Sequence, residues 1–165
     1  MTFTLVDGYN LLHASGVFGR LRGPRGLESS RTALLDHVAD LVGETAPRVL
    51  FVFDAARAPD GLPGRIVHRG IRVWFAREYP DADSLIEEIL EEERSPASIT
   101  VVSNDRRLQL AARRRRAKAV SADDWLADLR RARRAGAAEA ADTKPPEPGP
   151  GEIEHWKRHF GLDDG

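Results

Sequence analysis

The sequence predicts an α/β protein with a parallel β-sheet that is covered by helices on both faces. Two observations favour this fold class: short, nearly continuous apolar segments rich in β-branched residues, and intervening segments with apolar residues at helical spacing. Strands of a doubly covered parallel sheet show the first pattern, and the connecting helices show the second. With 165 residues, 41% of them hydrophobic, the chain can form one core of ordinary size.

Five segments are predicted to be strands, at residues 3–6, 48–53, 71–75, 99–102 and, more weakly, 117–120. Each is too short for a helix and is bounded by turn-forming or charged residues. Residues 59–64, which contain two prolines and two glycines, are predicted to form a loop.

The predicted helices lie between these strands. Apolar residues recur every three or four positions from Leu27 to Val42, and Gly43 is a suitable stop. Further helices are expected to begin near Asp81, after Asp105 and after the predicted N-cap Ser121. This alternation of strands and helices is typical of a parallel sheet.

The composition changes after Arg134. Residues 1–134 are predicted to form the folded domain and residues 135–151, rich in Ala, Pro and Gly, a linker. Residues 152–165 are predicted to form a short amphipathic tail with Ile153, Trp156 and Phe160 on one side.

The chain contains no cysteine, which excludes a disulfide scaffold, a thiolate zinc site and a catalytic thiol. No segment approaches the ~18 consecutive apolar residues of a membrane span. The first ten residues lack the basic start and apolar stretch of a secretory signal. We therefore expect a soluble, cytoplasmic protein with no membrane partner.

The net charge of −1 conceals a strong separation of charge. Residues 78–93 contain eight acids and no base, whereas residues 106–134 contain eleven bases and three acids. The basic region could attract a polyanion and the acidic region could hold a cation. Alternatively, the two regions are solvated helix faces that compensate each other.

Three aspartates, Asp7, Asp54 and Asp105, directly follow predicted strands. Because ligands of open parallel sheets bind beyond the carboxyl ends of the strands, we expect the three to share one edge. Asp83 lies in the first turn of a helix, at the border of its apolar stripe. Taken singly, each acid could instead cap a helix or compensate its dipole.

Carboxylates gathered at one edge repel each other unless they take up protons or bind a cation. Mg²⁺ and Mn²⁺ prefer oxygen ligands, and such ions suit phosphoryl chemistry because they polarise phosphate oxygens and activate water. The basic region begins directly after Asp105, which favours a nucleic-acid backbone as substrate.

Four motifs follow the predicted strands or open a helix: VDGYN at residues 6–10, FDA at 53–55, ADSLI at 82–86 and VVSNDR at 101–106. Together they resemble the NYN domains, and their order and spacing resemble the YacP-like branch of the PIN-like nuclease superfamily. The resemblance covers residues 2–129, nearly all of the predicted folded domain.

The resemblance implies a three-layer PIN-like fold in which the five parallel strands, numbered along the chain, lie in the order 3-2-1-4-5. It also implies a metal-dependent endoribonuclease that hydrolyses phosphodiester bonds in single-stranded RNA. Since relatives in this branch resemble ribosome-associated nucleases, it further implies mRNA on the ribosome as a partner.

The resemblance also assigns roles to residues. The catalytic set is Asp7, Asn10, Asp54, Asp83 and Asp105, of which Asp7, Asp83 and Asp105 bind Mg²⁺ or Mn²⁺. The predicted RNA contacts are the strand-end residues Ser103 and Asn104 and the basic residues Arg106, Arg107, Arg113 and Arg114. Gln109 stands where some relatives have a further Asp, so a second ion is expected only with substrate.

One alternative remains open: a catalytically weak or inactive PIN-like module that binds RNA without cutting it. Retention of the three metal-binding acids argues against this alternative. A phosphatase of the haloacid dehalogenase type needs a second acid at the position of Tyr9, and a P-loop enzyme needs a glycine-rich phosphate-binding motif that the chain lacks.

Overall fold

The computed structural model describes residues 2–16, 24–57, 61 and 63–142. The strands are β1 Phe3–Asp7, β2 Val49–Phe53, β3 Arg65–His68, β4 Ile71–Phe75, β5 Ile99–Val102 and β6 Lys118–Val120. The helices are α1 Gly8–Ser15, α2 Pro24–Val42, α3 Ala82–Glu92, α4 Arg106–Arg114 and α5 Ala122–Asp142. Most of the predicted loop at residues 59–64 lies outside the described residues.

The six strands form one sheet in the order β3-β4-β2-β1-β5-β6. Strands β4, β2, β1, β5 and β6 pair in parallel, in the order expected for the five predicted strands. The prediction of a five-stranded, wholly parallel sheet is nevertheless wrong, because β3 adds an antiparallel edge strand beside β4.

The additional strand is joined to β4 by a two-residue turn. Arg69 and Gly70 both have positive φ, 49° and 89°, as a tight hairpin turn with the right-handed twist of the strands requires. Gly70 adopts this backbone conformation freely because glycine has no side chain. Arg69 has no such freedom, but its guanidinium is held by Asp36 and Asp40 of α2.

Helices cover both faces of the sheet, as predicted. On one face, Val6, Phe51 and Phe53 pack with α1, α2 and the start of α5. On the other face, Leu5 and Val52 pack with α3 and α4. Alternate residues of each central strand thus enter opposite halves of the core, which gives the three layers.

Strand β4 departs from the expectation that every strand is covered on both faces. Its residues Ile71, Val73 and Phe75 are buried, whereas Arg72 and Trp74 are partly exposed. This alternation is the pattern of a half-buried strand and is visible in the sequence I-R-V-W-F.

Helix α5 continues to Asp142, so the first eight residues of the predicted linker are helical. Five of these eight residues are alanine, which has the highest helix propensity. Residues 143–151 of the predicted linker and the predicted tail lie outside the described residues. The chain divides into two compact units, Met1–Ala132 and Arg133–Gly165, and the sheet belongs to the first.

No helix in the described part of the chain is long and apolar enough to cross a membrane.

Candidate active site

The predicted acids come together at the carboxyl edge of the sheet. Asp7 ends β1, Asp54 follows β2, Asp105 follows β5, and Asp83 lies in the first turn of α3. Asp7 is close enough to Asp54 and Asp105 for their charges to raise its pKa, and Asp83 is influenced in the same way by Asp7 and Asp105. The three predicted metal ligands thus form one electrostatically coupled cluster.

Asp7 is the most buried of these acids, with 9% of its surface exposed. Burial raises its pKa to about 6, because a carboxylate loses its hydration in the interior. The Ser103 hydroxyl donates a hydrogen bond to Asp7 Oδ2 at 3.0 Å and partly offsets this effect. Asp7 can therefore either bind a proton or pair with a cation close to neutral pH.

Glycine is required directly after Asp7. A Cβ atom at Gly8 would lie 2.4 Å from the ring of Phe53, a distance that real Cβ atoms do not reach. The absence of a side chain lets α1 begin against β2 and keeps Asp7 at the sheet edge.

Asp83 is half-buried, and its pKa is raised to about 7. Burial is the largest cause, followed by the charges of Asp7 and Asp105, while Arg107 acts in the opposite direction. Two acids with raised pKa values beside a third are typical of sites that bind a cation or transfer a proton.

Ser103 positions two of the acids. Its hydroxyl donates to Asp7 and accepts a hydrogen bond from the backbone N–H of Asp105 at 3.0 Å. The Gln109 side chain donates to the Ser103 carbonyl at 2.9 Å. Because Ser103 is only 1% exposed, its place in the structure is that of a buried support and not of the predicted RNA contact.

Asn10 and Asn104 tie three segments together. The Asn10 side-chain oxygen accepts from the Asn104 backbone N–H at 2.8 Å, which joins α1 to the end of β5. The Asn104 side chain accepts from the backbone of Ala122 at 2.9 Å and donates to Asp123 at 3.2 Å, which fixes the start of α5. Both polar groups of Asn104, predicted to contact RNA, are therefore used within the protein.

Asp54 and Asp81 position the first turn of α3. Asp54 Oδ1 accepts a hydrogen bond from the backbone N–H of Ala82. Asp81 is the N-cap: it accepts from the Ser84 backbone and hydroxyl, each at 2.7 Å, and these bonds lower its pKa. Together they place Asp83 beside Asp7.

Arg107, another predicted RNA contact, bridges α3 and α4. Its guanidinium binds both carboxylate oxygens of Glu87, at 2.7 and 3.2 Å, and approaches Asp81 at 3.5 Å. This two-point geometry holds the arginine in one orientation next to the acidic cluster.

The other basic residues differ in availability. Arg115 donates to the backbone carbonyls of Leu90, Glu91 and Glu93 and thereby caps the C-terminus of α3. By contrast, Arg106, Arg113 and Arg114 are exposed, and within the described residues their side chains make no hydrogen bond or ion pair. These three remain the predicted RNA contacts that face solvent.

Sequence reasoning missed the supporting roles of Asp81 and Asp123. A signal existed for Asp81, since Asp-x-x-Ser after Pro80 is a helix-start pattern. No comparable signal existed for Asp123, because its partner Asn104 lies in a different part of the chain.

The donor chemistry of the cluster fits a hard divalent cation, because it consists of carboxylate oxygens whose pKa values are raised by burial and mutual repulsion. Among the described residues, however, no three acidic or histidine side chains are close enough together to ligate an ion as they stand.

A family model for the YacP-like NYN domain matches residues 4–156. The chain belongs to the YacP-like NYN domain family. The family predicted from the four motifs is thereby confirmed, and with it membership of a nuclease-like group.

Two kinds of relative support the family assignment. The uncharacterized protein YacP of Bacillus subtilis (strain 168) is 33% identical over 89 residues, which are 54% of this chain and 51% of that protein. The alignment thus spans about half the length of the curated relative. A crystal structure of Rae1 (YacP) from Bacillus subtilis has a TM-score of 0.65 and 27% identity, with 98% of this chain and 92% of that chain covered.

A crystal structure of a variant of Rae1 (YacP) from Bacillus subtilis has a TM-score of 0.67 and 26% identity over 86% of this chain and 83% of the other. The fold of this NYN domain is therefore similar to that of a solved member of the same family.

Proposed function

We propose that this NYN domain is a divalent-metal-dependent endoribonuclease that hydrolyses phosphodiester bonds in single-stranded RNA. The observation that carries the proposal is the coupling of Asp7, Asp83 and Asp105 at one edge of the sheet, with the pKa of Asp7 and Asp83 raised towards neutrality. Membership of a nuclease-like family supports the same reaction class.

Asp7, Asp83 and Asp105 would hold Mg²⁺ or Mn²⁺. When bound, such an ion polarises a phosphate oxygen and lowers the pKa of a coordinated water. The protein's own contribution is to hold the acids in place: Ser103 supports Asp7 and Asp105, and Asp54 supports the helix that carries Asp83.

The proposed substrate class is cytoplasmic mRNA, including mRNA on the ribosome. It follows from the resemblance to the YacP-like branch, in which ribosome-associated nucleases are expected. Arg106, directly after Asp105, and the exposed Arg113 and Arg114 at the other end of α4 offer positive charge to the phosphate backbone of such a substrate.

The proposed activity is tested with single-stranded RNA labelled at either end, in the presence of Mg²⁺ or Mn²⁺. We expect internal cleavage that leaves a 5′-phosphate and a 3′-hydroxyl, because water attacks the phosphorus atom and the 3′-oxygen departs as the leaving group. A chelator should abolish the cleavage. Products with a 2′,3′-cyclic phosphate, or cleavage that resists the chelator, would contradict a metal-activated water.

A second candidate function is RNA binding without cleavage. It is favoured by one observation, the lack of a ready-made set of metal ligands among the described residues. In that case the protein binds RNA at any metal concentration and leaves it intact, so the same labelled RNA distinguishes the two functions.

Replacement of Arg113 and Arg114 by glutamine should weaken RNA binding about equally for all sequences. Contacts with phosphates release counterions, so the logarithm of the affinity falls with the logarithm of salt concentration by about 0.7 per neutralised phosphate for single strands. For the double variant, the slope should therefore be shallower by the amount that corresponds to about one to two neutralised phosphates. The measurement is RNA affinity at a series of salt concentrations.

The matched control replaces Arg48 and Arg94 by glutamine; both are exposed, and neither belongs to the basic segment at residues 106–116. It removes the same charge and should leave the slope unchanged. Equal slopes for the Arg113 and Arg114 variant and the wild type would mean that the RNA backbone contacts another surface.

A further inference from the structure

The ion pair between Arg107 of α4 and Glu87 of α3 lies directly beside two of the proposed metal ligands. Glu87 follows Asp83 by four residues, so the two acids share one face of α3. The backbone N–H of Arg107 donates to Asp105 Oδ1 at 2.7 Å. The charge of the guanidinium also acts on Asp83 and opposes the rise of its pKa. Arg107 therefore places a positive charge at the edge where the scissile phosphate would lie.

Each nitrogen of this guanidinium has an oxygen atom of the protein within reach. Nε and Nη2 bind the two carboxylate oxygens of Glu87 at 2.7 and 3.2 Å. Nη1 lies 3.5 Å from Asp81, and Nη2 lies 3.5 Å from the Ser84 hydroxyl. Arginine binds carboxylates and phosphates with the same two-point geometry. Glu87 thus occupies the donors that suit a phosphate group.

The packing of α3 against α4 does not depend on the ion pair. The side chains of Arg107 and Glu87 are 49% and 34% exposed, and ion pairs at such positions contribute little to stability because water screens them. Buried residues of the same core, such as Leu90 and Leu108, hold the two helices together. Arg115 adds three hydrogen bonds to the end of α3. The ion pair can therefore break while the helices stay in place.

We propose that Glu87 holds Arg107 in the RNA-free protein and that a phosphate of single-stranded RNA beside the scissile bond displaces Glu87 from the guanidinium. The proposal rests on the proposed function and adds to it a residue that competes with the substrate. A phosphodiester carries the same charge as the carboxylate that it replaces. The guanidinium thus keeps its charge-assisted hydrogen bonds, and the released carboxylate is hydrated.

The proposal predicts opposite effects for substitutions of the two partners. The measurement is the affinity of the full chain for single-stranded RNA in a chelator, so that the strand stays intact. Arg107→Gln should weaken binding by about 10-fold, because a charge-assisted contact with phosphate is lost. Glu87→Gln should strengthen binding by about 2- to 5-fold, because the neutral amide competes less well for the guanidinium. In the double variant, Glu87→Gln should add nothing to the effect of Arg107→Gln.

Glu91→Gln controls for the loss of negative charge alone. Glu91 lies one turn beyond Glu87 and lines the same groove between α3 and α4 as Arg107. It is exposed, and within the described residues its side chain makes no hydrogen bond or ion pair. Glu87→Gln should therefore strengthen RNA binding more than Glu91→Gln does. Equal gains from the two substitutions, or a gain from Glu87→Gln that persists without Arg107, would overturn the exchange.

The remaining outcomes separate the exchange from the nuclease activity. An ion pair that only joins the helices would make Glu87→Gln and Arg107→Gln change RNA binding in the same direction or not at all. If that result is found and the wild type cleaves RNA with Mg²⁺ or Mn²⁺, the exchange is wrong and the nuclease proposal stands. If the wild type neither binds nor cleaves RNA, both proposals fail.

Discussion

Asp105→Asn is expected to abolish metal-dependent cleavage of single-stranded RNA while the protein stays folded. The substitution removes one charge from the proposed ligand set but keeps the helix, because Asp105 is the N-cap of α4 and asparagine caps helices equally well. A bound divalent ion supplies several kcal/mol of transition-state stabilisation, so we expect kcat/KM to fall by about 10³-fold or more. Cleavage rates in Mg²⁺ and in Mn²⁺ measure the effect.

The matched control is Asp128→Asn on the exposed side of α5, where the carboxylate pairs only with Arg131 in the described structure. It makes the same chemical change away from the sheet edge and should retain full activity. If Asp105→Asn cleaves at the wild-type rate with Mn²⁺, the proposed metal site is wrong.

Without divalent ions, Asp7→Asn is expected to be more stable than the wild type near neutral pH. The pKa of Asp7 is raised in the folded state from 3.8 to about 6, so folding favours the protonated acid. Protonated Asp7 therefore stabilises the folded state relative to the unfolded state. This stabilisation is complete below pH ~3.8 and is lost as the pH rises through about 6. The loss for Asp7 is at most about 3 kcal/mol, at ~1.36 kcal/mol per pKa unit.

The measurement is the free energy of unfolding of both proteins from pH 4 to pH 8 in a chelator. Asp36 and Asp81, whose pKa values are lowered in the fold, produce the opposite trend in both proteins. The difference between wild type and variant therefore reports Asp7 together with its charge coupling to Asp83. A difference that does not change with pH would show that burial does not raise the pKa of Asp7 in solution.

Added Mg²⁺ or Mn²⁺ should then raise the melting temperature of the wild type more than that of Asp7→Asn. A cation that binds only the folded protein stabilises it and also relieves the repulsion within the cluster. Equal shifts in the two proteins would place the ion elsewhere, for example along the acids at residues 87–93.

The five parallel strands and their order followed from short apolar runs and from the family resemblance. Strand β3 did not, because only two of its four residues are apolar and its turn uses Arg69 in place of the glycine or asparagine that usually marks a tight hairpin. The half-exposed face of β4 is visible in the alternation of Arg72 and Trp74 with buried residues, whereas the apolar run as a whole predicts a strand covered on both sides.

Much of the site was also predictable, since acids that follow parallel strands must meet at one edge. The supporting hydrogen bonds were not predictable, because a polar side chain chooses its partner only after distant segments have come together. Ser103, Asn104 and Arg107 were predicted to contact RNA, yet in the structure they hold Asp7, the start of α5 and Glu87. A sequence pattern identifies which residue types lie near the site. It does not show whether their polar groups form hydrogen bonds within the protein or face the substrate.

The bonds of Ser103 and Asn104 also determine when the site can exist during synthesis of the chain. They join residues 96 and 94 positions apart, and Asn104 also needs the backbone of Ala122. A nascent chain that ends before this point carries Asp7 and Asp83 without the strand that supports them. An incomplete chain that is still attached to the ribosome therefore lacks the assembled acidic cluster until the segment that contains Asn104 and Ala122 has emerged.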